Sequence, residues 1–337
     1  MHMADALLSP SVGTTMWAVA AGAAAYAAKR TAGDELCERK IPLMGVLGSF
    51  VFAAQMINFT IPMTGSSGHI GGGILLAALL GACPSFLTVV VILAIQCLFF
   101  ADGGLLALGG NIVNLGLVPC LVVYPLVYRP IAERIPSPRR ITAASILGVV
   151  VSLQLGAFLV VLETLLSGVA ELPFSAFLML MQPIHLAIGV VEGIVTASIL
   201  CFVYASRPEI IEGAASQNRP VSRAALPAFA AAALLVGGAL SSFASGLPDG
   251  LEWAVGKIAG SPELEAAGVA YEQAAEIQGT TAIMPGYAFA SEGAEGAENS
   301  PSGTPVAGVT GGVITFLTIA ALGGVISRFR ARRAHSG

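Results

Sequence analysis

From Ile70 to Tyr128 the chain carries a single charged side chain, Asp102. So long a stretch with one charge cannot present a surface to water, and it far exceeds the roughly 20 apolar residues that cross a bilayer once. Further apolar runs lie at 12–28, 43–60, 141–166, 176–205, 224–243 and 313–327. Over all 337 residues only 11% are charged, less than half the roughly 25% of a soluble domain. The class these observations leave is an all-α, polytopic membrane protein built as a helical bundle. Forty glycines suit helices packed closely through small residues in lipid. The five cysteines (Cys37, Cys83, Cys97, Cys120 and Cys201) stand far apart with no CxxC pair. They read as small packing residues, not as disulfides or zinc ligands.

Basic residues orient the spans. Lys29, Arg30, Arg39 and Lys40 share one loop, and Arg129, Arg134, Arg139 and Arg140 another. Arg207, Arg219 and Arg223 follow a later span, and Arg328, Arg330, Arg332 and Arg333 close the chain. Of the 16 basic residues only Lys257 falls elsewhere, so these clusters are assigned to the cytoplasm. The N-terminus is then outside, and the second span returns outside near residue 60. The loop holding His69 therefore shares a face with His2. Reaching the cytoplasm at Arg129 takes an odd number of crossings. One cannot consume 70–128; three can, at 70–82, 85–101 and 106–128. The expectation is about nine helices, seven plus two, with the N-terminus out and the C-terminus in.

The chain opens MHMADALL, with no basic stretch, apolar core and cleavage site to suggest removal of the first residues. A free amine followed by His at position 2 is a chelator. The α-amine of Met1, the deprotonated amide nitrogen of His2 and its imidazole Nδ1 close a five- and a six-membered ring around one ion. A fourth nitrogen from His69, in GSSGHIGGG, would complete a square, a geometry of nickel(II) or copper(II). Either histidine alone is a weak signal; the shared face is what joins them. The glycines would let that loop approach the N-terminus without Cβ clashes.

Ionisable groups inside the membrane zone are functional suspects. His185 and Glu192, seven residues apart, share a helix face two turns apart. Either a gating or relay role or plain polar contacts within the bundle would account for them. Asp102 would orient a ligating histidine or cap a helix. Asn111, Asn114, Gln96 and Asn58 would bond between helices or line a path to the site. In the first span Ala18/Gly22, Ala20/Ala24 and Ala21/Ala25 repeat at i, i+4, a surface for a partner helix or for packing within the bundle.

The segments MHMADALLSP, GSSGHIGGG and LAIQCLFFADGGLLALGGNIVNLGLV resemble the substrate-binding subunits of energy-coupling-factor transporters for cobalt and nickel, the CbiM/NikM family. HLAIGVVEGIVTA, from His185 to Ala197, resembles it too. The resemblance covers about residues 1–205 and implies a seven-helix bundle whose N-terminus plugs into it, with Met1, His2 and His69 as metal ligands. Asp102, Asn111, His185 and Glu192 are candidates only for supporting the ligands or lining the path. LPDGLEWAVGK, Leu247 to Lys257, is similar to the PDGLE motif of the family's small accessory subunit, CbiN/NikN. The chain then reads as a fusion: 1–205, a cytoplasmic linker over 206–223, and a two-helix accessory domain over 224–337 with a long outer loop. That loop includes SEGAEGAENSPSGTP, a low-complexity stretch outside the family pattern.

The resemblance implies Ni2+ or Co2+ as transported ion, no cofactor, and as partners a membrane scaffold subunit and paired ATPases. No nucleic acid is expected. The chain has no P-loop, since the GK of AVGKIAG is followed by Ile258, and no HExxH, so an enzyme is not expected. The alternative is a secondary transporter or channel that needs no ATPase. It would call for paired carboxylates in the bundle, and Glu163, Glu192 and Asp102 are sparse.

Overall fold

The structure is a computed structural model and describes residues 1–33, 37–133, 136–207, 210–211, 225–262, 264–289 and 303–334. Most of the linker expected at 206–223 and of the low-complexity stretch near 291–304 lies outside the described residues. Eleven helices stand among the described residues. They are α1 (Pro10–Gly33), α2 (Cys37–Gln55), α3 (Gly73–Leu80), α4 (Ala82–Phe100) and α5 (Leu108–Ala132). There follow α6 (Pro138–Ser167), α7 (Phe174–Ser206), α8 (Ala225–Gly238), α9 (Gly250–Ala259), α10 (Val269–Thr281) and α11 (Gly303–Ala334).

The protein is a multi-pass helical membrane protein. Helices α4, α5, α6 and α7, the stretch Leu226–Phe243 containing α8, and Gly303–Gly324 of α11 are each long and apolar enough to cross a membrane. Their outer faces carry large apolar side chains that a water-soluble protein would cover, such as Leu155, Phe158, Met179, Ile194, Phe202, Leu235 and Phe316. Some hydroxyls of the spans bond within their own helices: Ser152 and Ser198 donate to the carbonyl four residues back.

The segment expected to cross at 70–82 holds a short helix in place of a full span. Helix α3 has eight residues, all buried, and at about 1.5 Å per residue spans only about 12 Å. Gly72 and Gly81, both at positive φ, bound it. Helix α4 follows at once, with Cys83 within reach of the charges of Arg30 and Lys40. Helix α4 then returns to Asp102, beside His2. Helix α5 winds with π-type turns from Val113 to Tyr128, where Pro119 and Pro125 lack the N–H that regular α-helical bonding needs.

Between α2 and α3 a hairpin pairs β1 (Phe59–Ile61) with β2 (Ser66–Gly68), Thr60 opposite Ser67. Helices α8 and α11 pack on each other and on α2. Small residues make those seams: a Cβ on Gly308 would lie 2.9 Å from Gly237 O, and one on Gly48 2.9 Å from Ile319 Cδ1. Ser49 Oγ donates to Gly312 O at 2.7 Å. On α1, Ala20 and Ala24 turn toward the bundle, while Ala18, Ala21, Gly22 and Ala25 are exposed. Cys83, Cys97, Cys120 and Cys201 are free thiols.

Candidate metal centre

The first eight residues fill the mouth of the bundle. Met3 and Leu8 are fully buried, and Met1 is 6% exposed. Met1 is wedged so tightly that a Cβ on Gly156 of α6 would lie 2.8 Å from its Cε. Asn111 clamps the backbone of Met3, accepting from its N–H at 2.8 Å and donating to its carbonyl at 3.2 Å. Gly104 N–H donates to the same carbonyl at 2.9 Å. Asp5 accepts from Ala107 N–H at 2.9 Å just before α5. The glycines that admit this segment are Gly103 and Gly104: a Cβ on the first would lie 3.3 Å from His2 Cβ, and one on the second would strike Asp5.

Around this plug stand the two histidines and two carboxylates. The rings of His2 and His69 stack, centroids 5.4 Å apart and 14° from parallel. His69 Nδ1 lies 3.1 Å from Ile70 O; a carbonyl can only accept, so Nδ1 carries the proton and Nε2 the lone pair. Burial, then the charges of the Met1 ammonium and His2, lower the pKa of His69 to about 4. Burial also lowers that of His2, against the pull of Asp102. Asp102 Oδ1 is 3.3 Å from His2 Nδ1, and its Oδ2 accepts from the Tyr287 hydroxyl at 2.5 Å. Burial and the Asp102 charge raise the Tyr287 pKa far up, so the phenol stays a donor.

The Met1 ammonium is ion-paired with Asp249 Oδ2. Asp249 is the N-cap of α9, and its Oδ1 accepts from Leu251 and Glu252 N–H at 2.7 and 2.9 Å. Glu252 returns the bond by accepting from Asp249 N–H at 2.9 Å, closing a capping box. Burial opposes the charge on Asp249, yet the ammonium and the cap donors hold its pKa well below the usual carboxylate range. Ser67 fastens the same segment to the hairpin: its N–H donates to Pro248 O at 2.8 Å and its hydroxyl to Leu247 O at 2.7 Å. A cavity of about 20 Å³, room for one water-sized particle, is walled by Met1, His69, His185 and Asp249.

The glycines of GSSGHIGGG serve the bundle more than the plug. A Cβ on Gly68 would lie 2.6 Å from Ile188, one on Gly72 2.5 Å from Val51, and one on Gly73 2.6 Å from Pro119. Among the described residues no cluster of three or more His, Cys, Asp or Glu side chains is spaced to hold a metal ion. A family model described as the cobalt uptake substrate-specific transmembrane region, CbiM, matches residues 2–210, and a PDGLE domain model matches 223–328.

The chain belongs to the CbiM family.

It joins a CbiM region and a PDGLE domain in one chain. One relative, provisionally named fused nickel transport protein NikMN in Archaeoglobus fulgidus, is 36% identical over 243 residues, 70% of this chain and 79% of that one. The cobalt transport protein CbiM of Sorangium cellulosum is 31% identical, over 51% of this chain and 76% of its own length. A crystal structure of a transition metal transporter superposes with a TM-score of 0.55 at 25% identity, covering 65% of this chain and 100% of that one. These relatives are transport proteins by name, and the family is not one of enzymes.

Of the residues singled out in the sequence, Met1, His2, His69, Asp102 and Asn111 come together in this CbiM-family chain. His185, on α7, borders the same cavity as Met1 and His69. Glu192 lies elsewhere: its Oε1 accepts from Gly72 N–H at 2.9 Å, and it lines a neighbouring cavity with Asn114 and Ser152. Asn114 donates to Glu163 at 3.1 Å, and Gln96 to Gln55 at 2.8 Å. Sequence reasoning missed Asp249 and Tyr287, both from the PDGLE part. The spacing of Asp249 and Glu252 does announce a capping box, but nothing in it points to Met1, 248 positions away.

Proposed function

We propose that this chain is the substrate-binding membrane component of an energy-coupling-factor importer for Ni2+ or Co2+. The ion is taken by the Met1 amine, the amide nitrogen and Nδ1 of His2, and Nε2 of His69. The observation that carries this reading is the burial of the chain's own amine beside two stacked imidazoles. Desolvating an ammonium is costly, and a terminus without a role would stay in water. Lowered pKa values keep both imidazoles neutral near pH 7, the form that binds metals. Asp249 is paired with the amine, and Asp102 Oδ1 lies 3.3 Å from His2 Nδ1. Binding turns both nitrogens to the ion, moves any Nδ1 proton of His2 to Nε2 and releases protons from the ammonium and the amide.

The amine face is outside in this reading, and α1, α2 and α3 join the six long apolar helices as crossings, nine in all, with the C-terminus in the cytoplasm. Having no P-loop, the chain draws energy from a scaffold subunit and paired ATPases, which reorient it for release. One added residue before Met1 tests the mechanism: it removes the α-amine from the chelate while keeping every side chain. Nickel and cobalt binding should weaken by about 100-fold or more, equal to roughly 3 kcal/mol. Unchanged affinity refutes the reading.

A further inference from the structure

Between α5 and α6 the fold leaves two buried oxygens without a hydrogen. Glu163, near the end of α6, is 4% exposed. Its Oε2 accepts from Asn114 Nδ2 of α5 at 3.1 Å. Its Oε1 is buried without a partner, and so is Asn114 Oδ1. Thr164 and Ser167, the hydroxyls nearest along α6, are themselves buried and unpaired, so neither reaches Oε1. Among the described residues no ammonium, guanidinium or imidazole pairs with Glu163. Gly110, one turn before Asn114 on α5, lets the carboxyl lie against that helix, since a Cβ there would be 2.9 Å from Oε2. Glu192 also has an unpaired oxygen, but it lines a cavity with room for a water. Glu163 lines neither that cavity nor the one beside Met1.

We propose that Glu163 binds a proton and faces Asn114 as a neutral acid–amide ring, in which Nδ2–H donates to Oε2 and Oε1–H donates to Oδ1. Both groups are planar and carry their two polar atoms side by side, so a bond at one pair of atoms brings the other pair together. The proton comes from water and forms one O–H bond on Oε1; no other bond changes. It gives both orphaned oxygens a partner and removes a buried charge that has no counter-charge. Oδ1 keeps a second lone pair for the cavity that Asn114 borders. In lipid the ring ties α5 to α6 without a fixed charge, which would be costly there. It also keeps a carboxylate charge off the seam behind Met3, whose Sδ lies 3.9 Å from Asn114 Nδ2. A dication at the mouth is then drawn to no charge on Glu163, whichever atoms hold that ion.

The test is infrared spectroscopy of the full chain in detergent at neutral pH, with no metal added. A carboxylic acid shows a C=O stretch above the amide and carboxylate bands. Subtracting the Glu163→Gln spectrum from that of wild type should leave one such band. It should move down in heavy water and in protein made with glutamate isotopically labelled at its side-chain carboxyl. Any band from Glu192 is common to both spectra and cancels. Glu163→Gln keeps a donor and an acceptor in the same places, so it should melt as wild type does; a lower melting temperature marks a carboxylate charge that the fold needs and refutes the ring. Asn114→Ala leaves Glu163 in place and should shift the band upward, because the O–H loses its acceptor. That variant keeps the test decisive if Glu163→Gln does not fold. A wild-type spectrum without the band overturns the proposal, since Glu163 is then ionised. A band that does not respond to Asn114→Ala overturns it too, since the proton is then not shared with the amide.

Discussion

Replacing Asn111 with alanine isolates the clamp on the N-terminal plug. Two hydrogen bonds disappear, one from Met3 N–H and one to Met3 O. The carbonyl keeps its bond from Gly104, so its loss is an ordinary bond of about 0.5–1.5 kcal/mol. Met3 N–H, fully buried, is left with nothing, a cost of about 1–3 kcal/mol. Together the plug should lose about 2–4 kcal/mol of docking free energy, equivalent to a roughly 30- to 1000-fold shift toward the undocked form. Hydrogen exchange reads this directly, because the amides of Leu7 and Leu8 bond only within the plug and exchange when it lifts. Their protection should fall by that factor, with weaker nickel binding alongside. Asn114→Ala serves as control, since Asn114 spends its stronger bond on Glu163, at 3.1 Å, and hydrogen-bonds the plug only at the sulfur of Met3, at 3.9 Å. Protection unchanged within threefold in folded Asn111→Ala would show that the clamp does not hold the plug.

Gly72→Ala forces a Cβ to 2.5 Å from Val51 Cγ1 at a φ of 75° and should destabilise by about 2–4 kcal/mol, seen as a lower melting temperature in detergent and weaker metal binding. Asp249→Asn retains the cap acceptor but leaves the ammonium without its counter-charge, and should cost about 3–5 kcal/mol in ion-free protein. Because the pKa of Asp249 is depressed by folding, its contribution is complete above about pH 4 and lost as the pH falls below that. Acid titration of stability should therefore be shallower in Asp249→Asn than in wild type, and identical profiles would contradict the ion pair.

The fold class was legible because lipid imposes it: charge depletion from Ile70 to Tyr128 admits only buried or lipid-facing helix. The gathering of His2, His69 and Asp102 at one end was legible from parity of crossings. Helix α3 was harder to read, since an apolar count sees no difference between a full span and eight buried residues bounded by two glycines at positive φ. The roles of the loop glycines were also hidden, because the contacts that need them, with Val51, Ile188 and Pro119, are set by helix packing. Asp249 and Tyr287 escaped for a related reason. Their partners, Met1 and Asp102, stand 248 and 185 positions away, and only the finished fold makes them neighbours.

The bond between Met1 and Asp249 joins residues 248 positions apart. At about 5–20 residues per second of synthesis, the amine waits roughly 10–50 s before its carboxylate has emerged. Throughout that interval the plug lacks its ion pair and is held only by contacts made earlier in the chain, such as those of Met3 with Gly104 and Asn111. The last third of the chain therefore finishes a site that the first third begins.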